Sequence, residues 1–121
     1  MLEWVVPVKR HEVTLCKLAI AHQAFVEEIL PNSTANLAAS TLDAKAHALV
    51  GLGALIAIGV EPPAYMWTLD AARRAGATDD EIVGCLLAVL PSVGVARIVT
   101  AAPKLGLAMG FDVATALEAR A

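Results

Sequence analysis

Thirteen consecutive uncharged residues, ALVGLGALIAIGV at positions 48–60, constrain this chain more than any other stretch. They are too few to cross a bilayer as a helix, which takes roughly 20 apolar residues. A helix that is apolar all round belongs in a core or an interface, so this one is expected at the centre of the fold. Gly51 and Gly53 lie inside it, and each costs about 1 kcal/mol relative to alanine in a helix interior. Close approach of another backbone is the expected compensation, from a copy of the same helix or from a neighbouring subunit.

Composition supports that expectation. Hydrophobic residues make up 58% and charged residues 17% of the 121-residue chain, against about 45–50% and about 25% in ordinary globular chains. One small domain, spanning 1–121, has more apolar surface than it can hide, and a homo-oligomer follows. Aromatic residues are scarce and alanine abundant, which suits small-residue helix packing better than a sheet core and makes the expected fold class all-α. The net charge of −3 and the scattered basic residues exclude a nucleic-acid-binding face. The start, MLEWVVPVKRHE, lacks the long apolar stretch of a secretory signal, and no segment is long enough to span a membrane. The expected location is therefore cytoplasmic, where Cys16 and Cys85 would be free thiols.

Helical punctuation runs along the chain. Apolar residues recur at helical spacing over 9–30, predicting one amphipathic helix that ends before Pro31, with a single loose turn near 35–40. Asp43 is placed to cap a helix over 44–58, which Gly59 and Pro62-Pro63 terminate. The next helix, 64–75, puts Met66, Leu69 and Ala72 on one face and stops at Gly76. Thr78-Asp79-Asp80-Glu81 reads as a capping box for a helix over 81–90, broken near 91–94. A further helix over 95–102 is disturbed at Pro103, and Asp112 can cap a last one ending at 120.

This order is similar to that of the carboxymuconolactone decarboxylase family, grouped with the alkylhydroperoxidase D-like proteins. The residues that carry the similarity are LDAKAHALV, an apolar helix ending in glycine, the turn ARRAGATDDEIVG, and a helix broken near a glycine. The resemblance covers 42–107 and implies an all-α helical-hairpin subunit assembled into trimers or hexamers. It also implies, in the decarboxylase branch, an arginine, a histidine, a glutamate and a tyrosine at positions that hold His47, Thr68, Gly84 and Ser92 here. The peroxidase branch uses a Cys-x-x-Cys pair, and the matching stretch EPPAYMWT contains no cysteine. Its disulfide chemistry needs an attacking thiolate beside a resolving thiol, so that mechanism is excluded.

Several polar groups near the family's site remain as candidates. Three are catalytic: His47 as general base or anion contact, Thr68 as hydrogen-bond donor, and Cys85. Four are substrate-binding: Tyr65 as donor, Trp67 as an apolar wall or interface anchor, Ser92 seven residues from Cys85, and Arg97 as a carboxylate anchor. Structural roles compete with each of these. His47 sits in a first helical turn, Cys85 lies among apolar neighbours, Arg97 has Asp70 or Glu81 as possible partners, and Thr68 can bond its own helix. No His-x-x-x-His, Cys-x-x-Cys or Glu-x-x-His spacing occurs, so no metal site within one subunit is expected, and the leading functional expectation involves no organic cofactor. The leading expectation is a decarboxylase-like protein acting on a small apolar carboxylic acid or lactone in an inter-helix pocket. The alternatives are a non-catalytic hydrophobic-ligand-binding or assembly module and, as the weakest, a single-cysteine thiol peroxidase.

Overall fold

Residues 9–120 are described by a computed structural model, and they form eight α-helices with no strand among them. The reading that no signal sequence opens the chain falls on residues 1–8 and lies outside the described residues. The described chain falls into two compact units that divide between Thr41 and Leu42.

The first unit holds α1 (Arg10–Ala19), α2 (Gln23–Ile29) and α3 (Ser33–Ser40). The single helix expected over 9–30 is two helices. Ala21 adopts φ 48°, and the amides of Ala21 and His22 turn back to Leu18 and Lys17, a Schellman-type closure that ends α1. The His22 imidazole then accepts from the Phe25 amide and caps α2. At about 100° per residue, Val13, Cys16 and Ile20 fall on one face of a continuous helix and Phe25, Val26 and Ile29 on the opposite one, and this change of face coincides with the break. Residues 33–40 form two full turns, more than the one loose turn expected, because the Asn32 side chain accepts from the Ala35 amide.

The second unit holds α4 (Ala44–Ile58), α5 (Pro62–Arg74), α6 (Asp79–Val93), α7 (Val95–Ala108) and α8 (Val113–Arg120). Asp43 caps α4 through the Ala46 amide, Pro62 opens α5, and the Thr78–Glu81 capping box starts α6 with both of its hydrogen bonds made. At the α5–α6 turn Gly76 takes φ 91°, and Ala77 donates to the Ala72 carbonyl. Asp112 caps α8 through Thr115.

The core is assembled from one stripe of each of α4, α5, α6 and α7. Ala48, Leu52 and Ile56 of α4 meet Tyr65, Leu69 and Ala72 of α5, Ile82 and Leu86 of α6, and Ala101 and Leu105 of α7. Each fully buried leucine or isoleucine among them contributes about 1.5–3 kcal/mol by leaving water. Tyr65, and not Met66, is the inward aromatic or sulfur-bearing residue of α5, since Met66 stays exposed.

Three expectations for this unit need correction. Within one subunit α4 is not buried all round: its buried stripe recurs every fourth residue, while Val50, Ala54, Ala57 and Ile58 face away from the subunit's core. Within the subunit, the neighbours of the two α4 glycines are side chains and not another backbone. A Cβ added at Gly51 would meet the Thr68 methyl of α5 at 3.9 Å, and one added at Gly53 would meet a Val89 methyl of α6 at 3.2 Å. Prolines also do less than expected. α6 continues past Pro91 to Val93, and α7 runs through Pro103 because Ala101 and Leu105, on either side of it, are both anchored in the core.

Candidate functional site

α4 and α6 run parallel and in register at a constant offset. Lys45 reaches Glu81, the Leu49 carbonyl faces the Cys85 sulfur, and Gly53 meets Val89, each pair the same distance apart in sequence. Two helices held this way bury their shared inner stripe and leave a furrow along the outer one. That furrow is a groove of about 590 Å³. Leu49, Val50, Gly53 and Ala54 form its α4 wall, and Glu81, Gly84, Cys85, Ala88 and Val89 form its α6 wall.

Small residues make the groove. A Cβ added at Gly84 would meet nothing within 4 Å, so this glycine, unfavourable in a helix interior, has no packing reason inside the described subunit. Ala54 and Ala88 are likewise too short to close the space between the helices.

The polar groups of the groove lie toward its α6 N-terminal end. The Lys45 ammonium binds one Glu81 carboxylate oxygen at 2.9 Å, and the other oxygen accepts from the Thr78 amide at 2.9 Å. The Thr78 amide first, and Lys45 second, hold the Glu81 carboxyl below its ordinary range, so it is ionised at neutral pH. One turn further, the Cys85 thiol points at the carbonyls of Leu49 and Glu81, 3.7 and 3.6 Å away. Burial pushes its pKa up, so the sulfur carries its proton. A protonated thiol facing two carbonyl oxygens is a poor nucleophile, which weighs against a single-cysteine peroxidase.

Of the seven sequence candidates, only Cys85 lines this groove. His47 is half-buried in the first turn of α4, Thr68 packs its methyl over Gly51, and Ser92 is exposed in the last turn of α6. Trp67 is 84% exposed and is not part of the groove lining.

Tyr65 and Arg97 come together elsewhere, where α5 meets α7. The Arg97 guanidinium lies against the Gly59 backbone so closely that a Cβ there would collide with it. That places a cation at the C-terminal end of α4, where free carbonyls favour one. The partners weighed for Arg97 are taken, since Asp70 pairs with Arg74 and Glu81 with Lys45. Beside it Lys104 binds Glu61 at 2.7 Å. The Tyr65 hydroxyl is buried with no hydrogen-bond partner among the described residues. Burial raises its pKa, and the positive charges of Lys104 and Arg97 offset part of that rise.

Sequence reasoning assigned no site role to Glu81 or to Lys45, which pairs with it at the end of the groove, and met Gly84 only as the position of the family's glutamate. Glu81 was visible only as a cap, although its spacing of four from Cys85 puts both on one helical face. The pairing with Lys45 depends on the parallel register of two helices, which no local pattern carries. Among the described residues no three His, Cys, Asp or Glu side chains gather as a metal site would require. No single described helix is long and apolar enough to cross a membrane.

An all-helical hairpin unit with a capping-box turn and an apolar groove between parallel helices defines a class of small helical proteins built around inter-helix sites. Within that class, the family model described as "Carboxymuconolactone decarboxylase family" matches residues 23–105, and the chain belongs to that family. The match starts earlier than the expected 42–107 and takes in α2 and α3. No curated protein and no solved structure matches the chain significantly.

Proposed function

We propose that this member of the family binds a small, largely apolar molecule in the α4–α6 groove, as a homo-oligomer in the cytoplasm and without an organic cofactor. One observation carries the reading: a groove of about 590 Å³, of drug-sized pocket volume, with nearly all its lining apolar and one ion-paired carboxylate at its end. Membership of the family points to a function of the decarboxylase or alkylhydroperoxidase-like kind, but fold alone does not transfer a reaction. His47 and Thr68 lie outside the groove, which favours binding over the decarboxylation expected from the resemblance.

A second reading rests on Glu81 and Cys85. An ionised carboxylate and a protonated thiol one turn apart on the same wall are suited to proton transfer on a bound neutral molecule such as a lactone, with Glu81 as base. Titration with the neutral fluorescent probe N-phenyl-1-naphthylamine tests the main reading. Saturable binding that Ala88→Phe weakens at least tenfold supports it, and binding indifferent to that substitution refutes it. Turnover of a lactone that Glu81→Gln abolishes without loss of binding would select the second reading.

A further inference from the structure

The groove's hydrogen-bonding character is one-sided. Its lining contributes two polar side chains, Glu81 and Cys85. Glu81 is an acceptor, and the thiol proton of Cys85 is already directed at the carbonyls of Leu49 and Glu81. A carboxylate has about four acceptor positions; the Thr78 amide, Lys45 and the Thr78 side chain draw on those of Glu81, and the partly exposed carboxylate keeps the remainder open. Lys45, the cation that would attract an acid, is not part of the lining and is held by Glu81. Asp79 and Asp80, which precede Glu81 in the first turn of α6, are not part of the lining, and Asp79 pairs with Arg73, so Glu81 is the one charged group that the groove presents. Arg97 is of no help there. It lies at Gly59, which along α4 is roughly 20 Å from Lys45 at 1.5 Å per residue.

From this charge pattern we infer that the groove's ligand is an apolar molecule with a hydrogen-bond donor, an alcohol, phenol or amine, and that carboxylic acids are excluded. The inference rests on the binding reading above and narrows it to a chemical class. An acid entering the groove would set its own carboxylate against that of Glu81, with no cation in the lining to offset the repulsion. A donor-bearing molecule instead completes the free acceptor positions of Glu81 while its apolar body fills the space over Gly84. The neutral thiol of Cys85 and the apolar walls leave an acid no compensating contact.

Three probes that share one ring separate the outcomes: benzylamine, benzyl alcohol and benzoate, titrated into the full-length protein by ligand-observed NMR. Benzylamine and benzyl alcohol are expected to bind, with benzoate at least tenfold weaker than benzylamine. Glu81→Gln keeps the capping box, because glutamine serves there as well as glutamate, and it should bring the benzylamine-to-benzoate ratio close to one. Ala88→Phe, at an exposed position on the groove wall, should weaken all three. Benzoate binding as tightly as benzylamine, or a ratio unchanged in Glu81→Gln, overturns the inference and leaves the binding reading standing. If no probe binds, both fall, and a smaller assembly mass for Ala88→Phe would then identify the groove as an interface between copies.

Discussion

Gly84→Ala turns the openness of the groove into a measurable stability. Glycine in a helix interior is about 1 kcal/mol less favourable than alanine, and the backbone here is ordinary helix, ten residues before the end of α6 at Gly94. The added Cβ meets nothing within 4 Å, so no clash offsets the gain. The variant should be stabilised by about 1 kcal/mol. With an unfolding entropy of roughly 2.1 cal/mol/K per residue over 121 residues, that is about 4 °C in Tm. Gly53→Ala is the control, because its Cβ would press on a Val89 methyl at 3.2 Å, and its gain should be smaller or reversed. Urea unfolding followed by far-UV circular dichroism measures both, the midpoint moving and the slope staying fixed. A Gly84→Ala protein that is destabilised, or that gains no more than Gly53→Ala, would mean that something already occupies the space over Gly84, and the open groove would be refuted.

Other consequences follow from single groups. Tyr65→Phe removes a buried hydroxyl with no partner among the described residues; it should raise stability by about 1–2 kcal/mol, and a loss of stability in the same urea assay would show that the hydroxyl is satisfied. Cys85, buried and with its pKa raised, should react with iodoacetamide at pH 7 far more slowly in the folded protein than in urea, and equal rates would contradict the protonated, buried thiol. Glu81 and Asp112 are held below the ordinary carboxylate range by backbone amides of Thr78 and Thr115. Their unfolded forms bind protons at higher pH than their folded forms, so their contribution is full above the unfolded carboxylate pKa and is lost as pH falls through the folded value. Urea midpoints measured at pH 6, 4 and 3 should therefore decline, and Glu81→Gln should flatten part of that decline.

Local chemistry made much of this fold legible. Asp43, Pro62, Gly76, the Thr78–Glu81 box and Asp112 each act through bonds within one turn, and each delimits a helix where its residue type indicates. The break at Ala21 escaped because it needs an alanine at positive φ, a conformation that residue type does not announce. The persistence of α7 through Pro103 escaped for another reason: core burial on both sides outweighs a local penalty. The apolar run of α4 correctly marked a central helix, but uniform hydropathy hides which stripe packs inward. The groove was the least legible part. Its shape follows from the register between helices 36 residues apart in sequence, and its lining is mostly residues with no chemistry of their own, such as Gly84, Ala54 and Ala88.

A crystal structure of the full-length protein grown with benzyl alcohol tests the small-molecule groove most directly. The prediction is density for one ring between α4 and α6, over Gly84 and Cys85, with its hydroxyl toward Glu81. A groove filled instead by side chains of a neighbouring copy, or closed by approach of the two helices, would contradict it.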